Sequence, residues 1–360
     1  MKKTLLFFFV IALLTSSCTM DKTDKAEFKI HRGVNISHWL SQSDRRGEER
    51  NEYFTEKDVK FIAGTGYDHI RLPIDEVQLW DEQGRKYEDA FNLLHEAIGW
   101  CANSGLRVVV DLHIIRSHYF NSDERPLWSN PEEQSKFVQL WRELSMELIE
   151  YPDSLVAYEL MNEAVADNPD DWNSLIDSTI TALRGKEPHR KIVIGSNMWQ
   201  SVNTFDDLKI PDDRDIILSF HFYHPMVLTH YHASWTKVGE YTGPVNYPGK
   251  VVPDEAIENL PPDLKKEVEF WGKNYNIDSM RVEVSKPLKY AREHNLPLYC
   301  GEFGCLNSVP EDIRLRWYSD FVSVLEEDGI AWANWDYRGG FGIVDKDNKP
   351  NQALIDVLMQ

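Results

Sequence analysis

Cysteine is scarce in this 360-residue chain, with four in all, and long apolar runs are absent beyond one near the start. Three cysteines, Cys101, Cys300 and Cys305, lie in the body of the chain. An odd number excludes complete pairing among them, and with no CxxC the commonest zinc and redox signatures are missing. Cys101 falls in a helical pattern and Cys300 in a strand pattern, so both read as small buried apolar residues. No HExxH occurs. Basic charge is also lacking: the formal net charge is −20, which argues against nucleic acid, whose phosphates want a basic surface. Neither an internal repeat nor a low-complexity linker is present, which leaves one large domain or two ordinary ones. Aromatics, by contrast, are plentiful, with twelve Trp and fifteen Tyr.

The apolar run near the start reads as a targeting segment. Lys2 and Lys3 precede Leu5 to Leu14, a stretch about half as long as a spanning helix needs. Thr15-Ser16-Ser17-Cys18 follows and looks like a bacterial lipobox. The expectation is therefore a signal peptide over 1–17, a lipidated Cys18, a polar tether over 18–27 and a single domain over 28–360. Such a protein would sit in the cell envelope, held to a membrane at the outer membrane or cell surface of a bacterium. If the lipobox reading fails, it would be secreted.

Beyond the tether, short apolar runs alternate with helical stretches, the pattern of a parallel α/β protein. The strand candidates are 33–36, 69–72, 107–113, 156–161, 191–195, 216–221, 298–301 and 330–335. That number and alternation predict a (β/α)₈ TIM barrel, which needs roughly 250 residues. Helices are expected over 55–64, with Thr55 as N-cap, and over 91–104, 131–150, 171–184 and 311–328. Residues 224–290, rich in proline, are expected to form an elaborated loop over the barrel mouth after strand six.

Two apolar runs end on glutamates. One closes with Asn162-Glu163 and the other with Glu302. Residues just past the C-terminal ends of barrel strands face the active-site mouth. Two carboxylates there are what glycosidic bond cleavage needs, one as acid/base and one as nucleophile. Glu163 suits the acid, whose proton must be retained. Glu302 suits the nucleophile, which must stay ionised and so wants donors nearby, Arg71 among them. His113, His221 and Tyr223 end strands three and six. Trp335, after strand eight, is the candidate sugar-stacking platform, with Trp332 on the opposite face. Trp39, Trp128, Trp199 and Trp235 lie in loops at the same end, and at least one should line a subsite. The histidines His221, His224, His230 and His232 raise a metal site as an alternative, but the usual ligand motifs are missing, and no metal is expected.

The chain resembles glycoside hydrolase family 5, the retaining cellulase family. The likeness runs from Arg32-Gly33-Val34-Asn35 to Gly342-Ile343-Val344-Asp345. It rests on His69-Ile70-Arg71-Leu72-Pro73, Asp111-Leu112-His113, Leu160-Met161-Asn162-Glu163, His221-Phe222-Tyr223, Gly301-Glu302-Phe303-Gly304 and Trp335-Asp336-Tyr337, in that order. The resemblance implies Glu163 as acid/base and Glu302 as nucleophile. Arg71, His113, Asn162, His221, Tyr223 and Trp335 would form the supporting shell, with no cofactor. Asn35 and Trp39 join the expected substrate-binding set. The expected reaction is endo-acting, retaining cleavage of a polysaccharide or oligosaccharide, foremost β-1,4- or mixed-linkage glucan. Loops 118–121 and 229–235 depart from the best-known cellulases, so β-mannan and β-1,3-glucan stay open. A surface glycan-binding lipoprotein without catalysis is the alternative of a different class; it would be expected to have lost one of the glutamates, Arg71 or Asn162, and all are present.

Overall fold

The structure, a computed structural model, describes residues 27–360. The expected signal peptide, Cys18 and nearly all of the tether lie outside the described residues. Eight parallel strands close into a barrel: β1 (Arg32–Asn35), β2 (His69–Asp75), β3 (Arg107–Ile114), β4 (Val156–Glu159), β5 (Ile192–Gly195), β6 (Ile216–Phe222), β9 (Leu298–Phe303) and β10 (Ala331–Asn334). Each expected strand is one of these. The remaining two, β7 (Gly249–Lys250) and β8 (Asn274–Tyr275), form a small antiparallel pair outside the barrel.

Alternation along the strands divides the apolar residues into two cores. On β3, Val108, Val110 and Leu112 face the helical layer. Val109 points inward, where it meets Ala157, Val193, Ile217, Tyr299 and Ala333, with Phe28 packed against the same group. The strands are therefore buried on both faces, which is why they read as nearly continuous apolar runs. Towards the C-terminal end the inward positions turn polar: Arg71 on β2, Asp111 and His113 on β3, Glu159 on β4, His221 on β6. One register break matters. Phe220 pairs with Cys300 but His221 pairs with Glu302, so Gly301 is an extra residue on β9. This bulge reverses the parity of the strand and turns Glu302 inward beside Gly301, while Cys300 and Phe303 stay in the helical layer.

The expected helices form at Glu56–Gly64, Glu88–Asn103, Pro131–Leu148, Pro169–Arg184 and Glu311–Glu327. Asp58 accepts from the Thr55 N–H at 2.8 Å, closing the first of them. The expectation of one long loop over 224–290 needs correction. Its last fifth opens an 18-residue helix, Ile277–His294, which is the barrel's own outer-ring helix between β6 and β9. It packs on Glu311–Glu327. Only the stretch up to Asn276 is elaboration, and it holds short turns, β7, β8 and the helix Pro262–Trp271.

Candidate active site

Arg71 organises the mouth. β2 runs on to Asp75, so Arg71 lies inside the strand, not at its end as the sequence suggested, and the barrel buries it completely. Its Nε and Nη2 donate to the two oxygens of Glu159 at 2.6 and 3.0 Å, a bidentate pair. Nη1 donates to Glu302 Oε1 at 2.6 Å and to Asn35 Oδ1 at 2.9 Å. Nη2 reaches Asn162 Oδ1 at 2.8 Å and lies 3.0 Å from Asp111 Oδ2. One guanidinium thus faces three carboxylates, with Glu163 close by as a fourth. Buried charges of one sign in such excess retain protons. Burial, opposed by Arg71, pushes Asp111 up to about 7. Glu159 is raised as well, again by burial first.

The two expected catalytic glutamates share this pocket but not the same surroundings. An oxygen of each lies within 4.8 Å of the other and of a nitrogen of His221. Glu302 Oε1 takes the Arg71 bond, and Oε2 accepts from Tyr223 Oη at 2.8 Å. Burial raises its pKa, while Arg71, His113 and the Tyr223 bond pull the other way. Glu163 has no cation against it. Burial and the charge of Glu302 hold its pKa well above the ordinary carboxyl value. Its Oε1 lies 2.9 Å from His221 Nδ1. Burial, then Arg71 and His113, keep His221 far below its usual pKa, hence neutral. Glu163 also has a left-handed backbone, φ 47°, uncommon for a residue with a Cβ.

His113 donates or accepts at both nitrogens within the protein: Nδ1 lies 2.7 Å from Asp111 Oδ2 and Nε2 3.2 Å from the Gln42 amide. Burial lowers its pKa to about 4. Trp335 stacks on its ring, 5.6 Å between centroids and 9° between planes. Trp335 is only 8% exposed and packs with Ala233, Leu306 and Phe341, whereas Trp332 is in the helical layer, on the opposite face as expected. Asn162 is buried, and its Nδ2 has no partner among the described residues, a donor left unpaired beside Glu163.

Two expected substrate-binding residues are not at the surface of the site. Asn35 is enclosed, its Nδ2 donating to Gly301 O at 2.9 Å and its Oδ1 accepting from Arg71. It holds Arg71 and the β9 bulge together and cannot touch a sugar. Trp39 is fully buried against Phe54, with Nε1 donating to Arg50 O at 2.8 Å. The helix Gly47–Tyr53 folds back over it, which the loop sequence did not signal. Of the other loop tryptophans, Trp128 is wedged against His118 and Trp172. Trp199 and Trp235 stand out, 44% and 57% exposed.

Sequence reasoning missed Glu159, Gln42 and Gln200. Glu159 had a signal: it is two residues past inward-facing Ala157, so alternation alone points it at Arg71. The glutamines carried none. Among the described residues, Glu163, His221 and Glu302 are the group with ligand atoms close enough to hold a metal. The Arg71 guanidinium 2.6 Å from Glu302 makes that group a poor cation site.

The family described as Cellulase (glycosyl hydrolase family 5) matches residues 24–340. The chain is 32% identical over 333 residues to endoglucanase C of Acetivibrio thermocellus, covering 91% of this chain and 97% of the relative. It is 30% identical over 306 residues to cellodextrinase A of Ruminococcus flavefaciens, 84% of each. Among solved structures, Cel5A of Thermotoga maritima in complex with cellobiose superposes with a TM-score of 0.74 at 23% identity, over 91% of this chain and 97% of that one. The cellulose synthase subunit Z of Clostridioides difficile superposes with 0.76 at 21% identity, over 92% and 100%.

Proposed function

This chain belongs to the cellulase family, glycosyl hydrolase family 5, and on that premise we propose that it cleaves internal β-1,4 bonds of a glucan with retention of configuration. That it is a glycoside hydrolase follows from the family. The linkage, the endo action and the residue roles are our reading.

One observation carries the mechanism: two carboxylates approach within 4.8 Å yet have opposite partners. Retaining enzymes hold their carboxyl groups about 5–5.5 Å apart, and inverting ones leave room for a water between. Glu302, with a guanidinium on one oxygen and a phenol on the other, is the nucleophile. Glu163, kept protonated by burial and by the charge of Glu302, is the acid. In the first step Glu302 attacks the anomeric carbon as Glu163 protonates the departing glycosidic oxygen, and a glycosyl ester forms on Glu302. In the second, Glu163, now ionised, takes a proton from water, and the resulting hydroxide displaces Glu302. Neutral His221, 2.9 Å from Glu163, orients that carboxyl through both proton states. Asn162 Nδ2 supplies a donor for a sugar hydroxyl. Exposed Trp199 and Trp235 offer faces for neighbouring sugar rings.

The names of the two relatives, an endoglucanase and a cellodextrinase, support a β-1,4-glucan over mannan or β-1,3-glucan. We also propose that Cys18 is lipidated and that the polar stretch after it tethers the barrel to a bacterial envelope membrane. Reducing-sugar release should be fastest on carboxymethyl cellulose or barley glucan and slow on laminarin and mannan. Proton NMR of the earliest products should show the β-anomer; first-formed α-anomer would refute the double displacement.

A further inference from the structure

The segment that carries Glu163 has no regular secondary structure, yet its backbone is buried. Buried N–H groups must find partners; Leu112 O and His118 Nε2 take those of Asn162 and Val165, and the turn after β5 takes those of Glu163 and Ala166. Asn197 exchanges two hydrogen bonds with Ala166, donating to its carbonyl at 2.8 Å and accepting from its N–H at 2.9 Å. The Trp199 N–H donates to Ala164 O at 3.2 Å. Gln200 Oε1 accepts from the Glu163 N–H at 2.9 Å. To make these contacts Met198, Trp199 and Gln200 all adopt left-handed backbone, φ 55°, 61° and 52°. Three such residues in a row, none of them glycine, are strained and persist only where surroundings over-determine them.

Gln200 is 1% exposed. Its amide nitrogen donates to Ser219 Oγ at 2.9 Å and lies 3.3 Å from Glu159 Oε1. Gly195 makes room for it: a Cβ there would fall 2.2 Å from Gln200 Cγ. One end of this side chain therefore grips the backbone of Glu163, itself left-handed, and the other end is fixed to the barrel wall. Glu302 touches none of these atoms.

We infer that Gln200 is a positioning residue for the acid/base alone, setting the place of the Glu163 carboxyl without acting on the nucleophile. Nothing else aligns the Glu163 N–H, and without an acceptor that buried donor drives the turn to relax. The inference rests on Glu163 being the acid/base, so Glu163→Ala is run beside it.

Gln200→Met keeps the volume and removes all three bonds, to the Glu163 N–H, to Ser219 and to Glu159. On unactivated glucan, kcat/KM should fall by about tenfold or more, a part of what general acid catalysis supplies. On 2,4-dinitrophenyl β-cellobioside, whose leaving group needs no acid, kcat/KM should change less than about threefold. There kcat and KM should fall together, because the second step still needs Glu163 as base and the glycosyl-enzyme accumulates. A merely structural defect would lower kcat/KM on both substrates alike, and that result, or no loss on either, overturns the inference. Should Gln200→Met not fold, Ser219→Ala loosens the far end of the amide and should give a smaller change of the same pattern. If Glu163→Ala itself lacks the leaving-group dependence, the role of Glu163 falls; if it shows the dependence and neither variant does, only the role of Gln200 falls.

Discussion

On the proposed mechanism, Glu302 and Glu163 are the same side chain put to two uses by their neighbours. Arg71, His113 and Tyr223 offset the burial of Glu302, whereas at Glu163 the charge of Glu302 adds to burial and only Arg71, which does not bond to it, pulls the other way. Glu302→Ala should lose turnover by several orders of magnitude, and azide should partly restore it by entering the vacated face, giving a glycosyl azide visible by mass spectrometry. No rescue by any small anion would remove Glu302 from the nucleophile's role. Glu163→Ala should slow polysaccharide cleavage far more than cleavage of activated aryl glycosides. The pH profile follows from the same directions. Glu302 must be ionised, so activity falls as pH drops through its raised pKa; Glu163 must be protonated, so activity falls as pH rises through its still higher one. In the wild-type enzyme the alkaline limb should appear in kcat/KM on unactivated glucan and be absent on 2,4-dinitrophenyl β-cellobioside, whose leaving group needs no acid, while the acid limb stays on both. Both glutamates were legible because each follows an apolar run. Gln200 was not: a glutamine in a loop carries no pattern, and its partner is a backbone amide that no motif records.

Strands were easier to read than helices. Parallel strands buried on both faces announce themselves as apolar runs, and all eight expected ones formed. The helix Ile277–His294 escaped because its buried stripe is narrow, chiefly Met280, Val284, Leu288 and Ala291 among charged residues, with Pro287 inside. Trp39 was misassigned for the opposite reason: a tryptophan after strand one looks like a platform until the following helix is seen to cover it. The β9 bulge was invisible, yet it decides the site. A Cβ at Gly301 would lie 2.8 Å from Ser219 Oγ and 3.3 Å from His221 Nε2. Ser219 cannot turn away freely, since Gln200 donates to it. Gly301→Ala should therefore cost about 1–3 kcal/mol, the range for overpacking, read as a lowered thermal midpoint. It should also cut kcat by about tenfold or more by displacing His221 from Glu163, since small misplacements of catalytic groups are costly. A variant of normal activity would mean that the bulge relaxes without moving β6.

Among the described residues most acidic side chains lie on the surface, while one group is buried around Arg71, and the two act on different properties. The cluster opposes folding as pH rises. Asp111, ordinarily near 3.8, is held up to about 7. Its folded pKa is raised, so its stabilising contribution is complete below about pH 4 and is lost as pH climbs through about 7, at up to roughly 1.4 kcal/mol per unit. Asp111→Asn should flatten the decline of the thermal midpoint between those pH values; an unchanged slope would assign the proton to Glu159 instead. The surface excess bears on where the enzyme can work. A body of net charge −20 gains nothing from an anionic lipid headgroup, because like charges repel within a Debye length. On the anchor proposal, membrane residence would come from a lipid on Cys18, and a single chain binds only marginally where several hold firmly. Cys18→Ala should accordingly move active protein from the membrane fraction to the soluble one, with kcat and KM on soluble glucan unchanged, since the proposed tether would separate anchor from barrel. Wild-type protein already soluble, or a mature N-terminus other than Cys18, would end the anchor proposal and leave the barrel chemistry as it stands.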